Sequence, residues 1–412
     1  MNKEFLDTKQ KALKINLDKT IYGTFAEIGA GQEVVRHFFQ VGGASKTIAK
    51  SMSAYDMTVS DIIYGAAADG RYVSRSRAMQ MINYEYNLLK ERLISEEYKD
   101  IKFFSFANTV ATTNYSSNES HAWVSLKFQL RPKSKPNYIV CHVKLLNASA
   151  SFQKKIVGVL GVNLIYAVYY LNNNHQLMVR SLADDLSKGS IEIDTIEISG
   201  PDFSSVDSKK LNLYSMALGY SSATLFTNDN RILQPKDYAY KKNISILISP
   251  LKKRFPSKNQ INAVLDKIME EKHYGKKDMH LIVNTTFRKN TWVDTPSYDI
   301  SDFYKRCKKG LDQKYSVLAS IFSLDASLIQ YFSRCKPADF NIIINYNCFI
   351  EILNNLCEVS TRKILGYFGD IFRENITIYT YGYKNGKSNV QPGAGYEILF
   401  NYLVSIGYIK NI

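Results

Sequence analysis

The spacing of apolar residues predicts a chain that changes from helices to alternating strands and helices. In the first hundred residues apolar side chains recur at helical spacing, as in the run of Ala78, Met81, Ile82 and Leu89 that follows the N-cap candidate Ser74. From Ile101 onward the period is two, which is typical of strands. The predicted strands span residues 102–109, 121–130, 137–146, 191–198, 223–226, 243–248, 280–286, 315–322, 340–345 and 375–381.

This pattern predicts an α/β protein. We expect a helical N-terminal segment over residues 1–100, followed by an α/β core with a mixed β-sheet and flanking helices over 101–250. A basic, proline-containing stretch around residues 252–259 is interpreted as a linker, and a second, smaller α/β region follows over 260–412.

The stretch from Lys19 to Tyr64 contains the densest set of glycines and polar residues, and its first half allows two interpretations. One is a strand that ends at Glu27 and is followed by the turn Ile28–Gly31 and a helix, as in nucleotide-binding turns, although Gln32 stands where a third glycine is expected. The other is a capping box, Thr24 to Glu27, that starts a helix with Gly29 and Gly31 inside it as points of close packing. The periodicity favours the capped helix, ended by Gly42 and Gly43.

Two further positions are candidates for ligand contacts. Asp202 follows residues 191–198, which together with a helix at 208–218 and a strand at 223–226 predict a β-α-β unit, and ligands bind beyond the carboxyl ends of such strands. Asp207 is interpreted as the N-cap of that helix. Asn163 is polar within the apolar helix predicted for 148–171, so it is either a structural hydrogen-bond centre or a ligand contact.

The two histidines of the predicted hairpin are expected on opposite faces of the sheet. Pairing around residues 131–137 places Leu126 opposite His142, and His121 then points to the other face. We therefore expect that His121 and His142 do not share a site.

Composition adds a net charge of +15, from 53 basic and 38 acidic residues. Such a field attracts polyanions, and in the run Phe303–Lys309 aromatic and basic residues interleave. The alternative is that the lysines only solvate the surface. The five cysteines are scattered and never at C-x-x-C spacing, so neither disulfides nor a metal site is expected.

Location and assembly follow from two other features. The N-terminal residues carry charges where a signal peptide has an apolar core, and no apolar run reaches the roughly 20 residues of a membrane span. We expect a cytoplasmic protein without membrane contact. The chain has 29 tyrosines, and Tyr379, Tyr381, Tyr383, Tyr396, Tyr402 and Tyr408 near its end favour a homo-oligomer, by default a two-fold dimer.

Several strings resemble those of a widespread, uncharacterised bacterial cytosolic family: YGTFAEIGAGQEV, VGGAS, SAYD, GVNLIYA, SGPDF and LQP. Members carry automatic labels such as nicotinate-nucleotide adenylyltransferase or TonB-dependent receptor. The motifs here support neither label, because no H-x-G-H pair and no signal peptide is found. The resemblance implies one cytosolic fold and no particular reaction.

The first functional hypothesis is a nucleotide- or phosphate-ligand-binding protein, with an enzyme of nucleotide metabolism as one form of this hypothesis. Its pocket would join the catalytic candidate Asp202 to a set of cofactor-binding candidates, for which the sequence does not identify the cofactor: Glu27, Gly29, Gly31, Gln32, Lys46, Asp56 and Asn163. The alternative is a non-catalytic homo-oligomeric scaffold or an RNA- or ribosome-associated protein.

Overall fold

The computed structural model describes residues 6–67, 70–93, 95–113, 120–249, 255–287, 300–373, 376–382 and 390–412. Contacts divide the chain into an N-terminal unit, Met1–Ser221, and a C-terminal unit, Ser222–Ile412. This division replaces the predicted boundaries at residues 100 and 250. The basic group at residues 252–254 and Tyr383 lie outside the described residues.

The N-terminal unit is a six-stranded mixed sheet with helices on both faces. Its helices are α1 (Thr8–Leu17), α2 (Glu33–Gln40), α3 (Met57–Tyr64), α4 (Arg75–Arg92), α5 (Ala150–Tyr170), α6 (His175–Ser181) and α7 (Ser208–Ala217). Its strands are β1 (Ile21–Ile28), β2 (Ile48–Met52), β3 (Lys102–Ala111), β4 (His121–Phe128), β5 (Asn137–Leu145) and β6 (Ile191–Ser199). The strand order is β2-β1-β3-β4-β5-β6, with β1 parallel to β2 and β3 and the remaining pairs antiparallel.

Residues 21–28 form a central strand, so the predicted capped helix at Thr24 is wrong. Strand β1 is covered on both faces, and Phe25 and Ala26, which point to opposite faces, are therefore both buried. Phe25 packs against Phe38 of α2 with ring centroids 5.3 Å apart. The apolar residues of β1 and α2 imitate one helical period across the turn that separates them. The prediction of a helical segment over residues 1–100 is also wrong, because this segment contains strands β1 and β2.

Helix α7 covers the outer edge of β6 with polar side chains. Asn212 Oδ1 accepts from the Ile196 amide over 2.9 Å, and its Nδ2 donates to the Ile196 carbonyl over 2.7 Å. Ser208 Oγ accepts from the Ile198 amide over 3.0 Å, and Ser215 Oγ donates to the Ile193 carbonyl over 2.9 Å. Backbone groups that a neighbouring strand would bind are thus satisfied by side chains.

The C-terminal unit has an eight-stranded sheet that is largely parallel. Its helices are α8 (Pro235–Ala239), α9 (Lys258–Lys272), α10 (Ile300–Asp312), α11 (Ala326–Ser333), α12 (Tyr346–Val359), α13 (Thr361–Ile371) and α14 (Glu397–Ser405). Its strands are β7 (Ala223–Phe226), β8 (Ile232–Leu233), β9 (Asn243–Ile248), β10 (Met279–Thr286), β11 (Ser316–Ser320), β12 (Asp339–Asn345), β13 (Ile376–Tyr381) and β14 (Ile409–Asn411). The strand order is β14-β13-β12-β9-β10-β11-β7-β8, and the six strands from β14 to β11 are parallel.

The parallel part of this sheet is doubly wound. The chain starts at β9, moves outward through β10 to β11, returns to β12 beside β9, and moves outward again through β13 to β14. Numbered along the chain, the order is 3-2-1-4-5-6, which is the order of dinucleotide-binding sheets. The winding reverses between β9 and β12, and we call the carboxyl ends of these two strands the switch point.

The predicted β-α-β unit around Asp202 is not formed. Strand β6 pairs antiparallel with β5 in the first sheet, whereas β7 pairs antiparallel with β11 in the second. The sequence pattern was correct for each element, but the pairing is nonlocal. Among the described residues, every helix falls short of the length and apolarity needed to cross a membrane.

Candidate functional sites

The Glu27 carboxyl fills the turn between β1 and α2 from inside the protein. It is fully buried and accepts from the amides of Val34 and Val35 in the first turn of α2, each over 3.1 Å. Asn108 Nδ2 donates to it over 2.9 Å. Burial raises the pKa of Glu27 to about 7, and these hydrogen bonds act in the opposite direction. A carboxylate of the chain therefore occupies the place where a nucleotide-binding turn holds phosphate.

The turn itself has the strand–glycine–helix form of the first interpretation. Gly29 and Gly31 adopt φ values of 86° and 75°, in the left-handed region, and are not packed inside a helix. A Cβ at Gly29 would lie 2.1 Å from the Val110 carbonyl oxygen, so a glycine is required there. Gln32 is the N-cap residue of α2 and makes no side-chain capping bond; Glu27 supplies the acceptor instead.

Lys46 and Asp56 lie at opposite ends of β2. Lys46 is exposed in a short 3₁₀ turn, Ala44–Lys46, that precedes the strand. Asp56 follows the strand and caps α3 by accepting from the Val59 amide over 2.9 Å. Because β1 and β2 are parallel, Asp56 shares the carboxyl end of the sheet with Glu27, and Lys46 does not.

Asn163 is a structural hydrogen-bond centre. It is fully buried in α5, where its Nδ2 donates to the carbonyls of Leu182 and Asp184 and its Oδ1 accepts from the buried Lys11 ammonium over 2.8 Å. Lys11 also pairs with the Asp184 carboxylate at 2.6 Å. These partners tie α1, α5 and the segment after α6 together, and none of them belongs to the predicted pocket.

Asp202 lies at the other end of the sheet from Glu27. Strand β6 is antiparallel to β5 and β4 to β3, so the end of β6 adjoins the amino ends of β1 and β3. The Asp202 carboxylate accepts from Arg131 and, over 2.8 Å, from Asn137 Nδ2. The predicted pocket that joins Asp202 to the opening segment is thus not assembled, and Asp202 fixes the turn after β6. Asp207 caps α7 as predicted.

The switch point of the C-terminal unit carries a buried cation. Ser249 follows β9 directly and is buried, and its Oγ accepts from the Arg306 guanidinium over 2.6 Å. Arg306 comes from the inner face of α10 and is 7% exposed. Burial lowers the pKa of Arg306, and the Tyr381 phenol and nearby thiols act in the opposite direction. Tyr381 ends β13, and Asn345 ends β12 and caps α12.

Polar side chains continue from this point along the carboxyl ends of β9, β10 and β11. Asn284 of β10 accepts from the Ser320 hydroxyl of β11 over 2.7 Å, and both are fully buried. The Ser249 amide donates to the Asn284 carbonyl over 2.9 Å. Buried, hydrogen-bonded polar residues therefore lie at the ends of three adjacent parallel strands.

The aromatic and basic run at Phe303–Lys309 is divided by helix α10. Phe303 is buried against Phe287 with ring centroids 5.1 Å apart, and Arg306 and Cys307 also face inward. Lys305, Lys308 and Lys309 are exposed. The Phe303 ring is therefore not available to stack on a base, and of the basic residues in this run only the lysines are exposed.

A second polar cluster lies in the N-terminal unit on β4, β5 and β6. Strand β4 pairs with β5 so that Trp123, not Leu126, stands opposite His142. This register differs by an odd number of residues from the predicted one, and it brings His121 and His142 to the same face. His121 Nδ1 lies 3.0 Å from His142 Nε2, and His142 Nδ1 lies 2.7 Å from Asp194 Oδ1. The prediction that the histidines do not share a site is wrong.

Metal-binding groups of three or more histidine, cysteine, aspartate or glutamate side chains are not found among the described residues. Cys141 and Cys307 are fully buried, and burial raises the pKa of each thiol to about 12. These two behave as small apolar residues.

Neither a protein-family model nor a curated protein matches the sequence. Solved structures with local similarity include the competence/damage-inducible protein CihA from Agrobacterium tumefaciens, at 16% identity, 41% coverage of this chain, 99% of that chain and a TM-score of 0.30. CinA superfamily proteins from Enterobacter cloacae (9% identity, 41% and 95% coverage, TM-score 0.30) and Escherichia coli (15%, 41% and 94%, 0.27) are also similar. These values are too low to carry an argument about function.

Proposed function

We propose that the protein binds a nucleotide or a related phosphate-containing small molecule at the switch point of its C-terminal unit. The observation that carries the proposal is the buried Arg306 guanidinium beside Ser249 at the carboxyl end of β9. Ligands of doubly wound sheets with the order 3-2-1-4-5-6 bind in the crevice outside the carboxyl ends of the strands, where the winding reverses.

The chemistry of the guanidinium favours a phosphate group. It is planar, always charged near neutral pH and more weakly hydrated than an ammonium, and its N–H groups match two phosphate oxygens at once. A phosphate near Arg306 would add a charged contact to those that this costly buried cation already makes. The polar base formed by Ser249, Asn284 and Ser320 would hold the guanidinium and the strand ends in place.

The proposed contact differs from that of glycine-rich dinucleotide sites. No glycine occurs between Ser249 and Ser257, the segment that joins β9 to α9. Helix α9 has its own capping box, in which Ser257 and Gln260 satisfy each other's backbone amides. The phosphate would therefore be held by the Arg306 side chain rather than by the amides of a glycine turn.

Thermal-shift measurements of the full-length chain test the proposal, with ATP, NAD⁺ and inorganic phosphate at millimolar concentration as probes. A ligand present at 100 times its dissociation constant stabilises the folded protein by about 2.7 kcal/mol. We expect a rise in Tm with at least one nucleotide. Arg306→Met should weaken that binding by about 10- to 100-fold, because a charged hydrogen bond contributes about 1.5–3 kcal/mol.

Lys308→Met is the matched control, since this exposed residue lies on the same helix and carries the same charge; it should bind like the wild type. Arg306→Lys keeps the charge and loses the planar fork, so it reports on geometry if the methionine variant folds poorly. The absence of any nucleotide-dependent rise in the wild type, or equal affinities in wild type and both Arg306 variants, would contradict the proposal.

A further inference from the structure

The amino ends of the parallel strands in the C-terminal unit carry a group of exposed lysines. These ends lie at the opposite edge of the sheet from the switch point, so the group is separate from the nucleotide site proposed above. The residues come from the loops that lead into β12, β9, β10 and β11, which are neighbours in that order. We call them the amino-end lysines: Lys241, Lys276, Lys277, Lys314 and Lys336.

The charge of this edge is strongly one-sided. The four loops, residues 240–242, 273–278, 313–315 and 334–338, contain seven lysines and arginines and a single carboxylate, Asp278. Asp278 accepts from the Gly275 amide over 3.1 Å. In the part of the chain that the structure describes, none of the amino-end lysines forms an ion pair with a carboxylate. A polyanion would therefore meet positive charge that the protein itself does not neutralise.

The loops hold the lysines in fixed positions. The Lys241 amide donates to the Lys336 carbonyl over 3.0 Å, and the Ala338 amide donates to the Lys242 carbonyl over 2.9 Å. The loops before β9 and β12 are thus joined by their backbones. Since neighbouring strands are about 4.8 Å apart, the four loops extend over roughly 14 Å along the edge of the sheet. A chain of phosphates can contact several amino-end lysines at once over this length.

Three of the lysines occupy backbone positions that suit other residue types. Lys241, Lys314 and Lys336 adopt φ values of 55°, 68° and 51°, in the left-handed region. Glycine and asparagine adopt this region at lower cost than lysine. Backbone geometry therefore does not explain lysine at these three positions, whereas a role for the ammonium groups does.

Aromatic rings lie among the amino-end lysines. Tyr240 is 48% exposed, and Lys241 Nζ lies 5.3 Å from the centroid of its ring. Tyr238 packs edge-on against His280 of β10 with ring centroids 6.0 Å apart, and its hydroxyl is 3.1 Å from Ser316 Oγ of β11. Tyr238 thereby fixes the segment before Tyr240 against the strand ends. Exposed rings beside ammonium groups are the combination that binds the bases and phosphates of single-stranded nucleic acids.

We propose that this edge of the C-terminal unit binds single-stranded nucleic acid, with the amino-end lysines on phosphates and the Tyr240 ring stacked on a base. Contacts to phosphate and stacking on a base accept any sequence. Among the described residues, Tyr240 is the one large apolar side chain of these four loops that is exposed. This favours a nucleic acid over a lipid surface, into which several apolar side chains would insert.

Fluorescence anisotropy of a labelled oligouridylate of about 20 nucleotides with the full-length protein tests the proposal. Five phosphate contacts predict that the logarithm of the association constant falls with the logarithm of the salt concentration with a slope of about −3.5. The double variant Lys241→Gln/Lys336→Gln removes two of the contacts. We expect its slope to be about −2 and its affinity at roughly 50 mM salt to be about 10- to 100-fold lower.

Lys133→Gln/Lys135→Gln is the matched control. It removes two exposed lysines from a loop of the N-terminal unit, and Lys133 also has a positive φ, of 59°. This variant should keep the affinity and the slope of the wild type. Tyr240→Ala should lower the affinity by about 10-fold and leave the slope unchanged, since stacking involves no counterion release. Arg306→Met should bind the oligonucleotide like the wild type, because Arg306 lies at the other end of the strands.

Other probes separate the possible partners. Oligothymidylate of the same length should bind like oligouridylate, because no contact to the 2′-hydroxyl is proposed. A duplex should bind more weakly, because its bases cannot stack on Tyr240, and tighter binding of the duplex would overturn the proposal. So would an absence of binding by the wild type at roughly 50 mM salt, or the same slope for the wild type and Lys241→Gln/Lys336→Gln. Binding to vesicles of phosphatidylserine and phosphatidylcholine without binding to either oligonucleotide would assign the surface to a membrane instead.

Discussion

Glu27 and Asn108 stand opposite each other on the parallel strands β1 and β3, and Asn108 Nδ2 donates to Glu27 Oε2 over 2.9 Å. Together with the two amides of α2, this bond surrounds a buried carboxyl with three donors. The turn that resembles a nucleotide-binding motif is therefore closed by the side chain of its own strand. The amides of Val34 and Val35 are therefore not available to a phosphate.

We expect the stability conferred by Glu27 to depend on pH between its reference pKa of 4.5 and its raised pKa of about 7. A carboxyl with a raised folded-state pKa binds its proton more tightly in the folded protein. Its contribution is therefore complete below 4.5 and is lost as the pH rises to about 7. This difference in pKa corresponds to about 3 kcal/mol in the free energy of unfolding.

Urea unfolding of the wild type and Glu27→Gln across this pH range measures the effect. The free energy of unfolding of the wild type should fall relative to that of the variant as the pH rises. Glu33→Gln, on the first turn of the same helix and partly exposed, serves as the control. A difference between wild type and Glu27→Gln that is constant with pH would show that Glu27 does not titrate in this range.

Asn163→Leu should destabilise the N-terminal unit by about 3 kcal/mol. The substitution keeps the branched shape of the side chain, but it removes one partner of the buried Lys11 ammonium and leaves two carbonyls without a donor. Chemical denaturation gives the magnitude. In a double-mutant cycle with Lys11→Met, the loss in the double variant should be smaller than the sum of the single losses. Additive losses would indicate that Lys11 and Asn163 act independently.

We propose that the protein is a homodimer in which a second copy covers the surface of α14 and β14. Ile398, Tyr402 and Tyr408 are 86%, 58% and 46% exposed there, whereas Tyr379, Tyr381 and Tyr396 are buried. In the described part of the chain β14 pairs with β13 alone, so an apolar surface adjoins a strand edge. The same surface on each copy suits a two-fold contact.

Light scattering at micromolar concentration should give twice the 47.0 kDa mass of the chain. Ile398→Arg should shift the protein to the monomer, and Leu17→Arg, which changes an equally apolar exposed position in the other unit, should leave the dimer intact. A single-chain mass for the wild type over a tenfold dilution series would contradict the dimer.

The sequence predicted most elements of the sheets where one period dominates. The alternation at Lys102–Ala111 and Asn137–Leu145 and the apolar helix Ala150–Tyr170 are confirmed. Strand β1 was missed because its apolar residues and those of α2 together match one helical period. The switch-point order could not be predicted, because strand order in a parallel sheet depends on crossovers and not on local spacing.

The site residues were missed for a similar reason. The His121–His142 contact depends on the register of one hairpin, and a shift by an odd number of residues moves one histidine to the other face. Arg306 was recognised as part of a basic run, but which member of the run faces inward follows from the start of α10. The sequence allows the glycine turn at Gly29–Gly31, but the periodicity of its flanking residues favours the wrong alternative.

Ser208, Asn212 and Ser215 hydrogen-bond to the backbone of β6. The two edge strands of the first sheet, β2 and β6, therefore differ in their ability to pair with an added strand. A peptide or an unfolded neighbour that adds to a sheet needs free amides and carbonyls, and along β6 those of Ile196 and Ile198 are already bound by α7. Strand β2 forms the opposite border and, among the described residues, pairs only with β1. Any strand donated to this sheet from outside must therefore dock at β2, which confines both recognition and aggregation of this unit to one side.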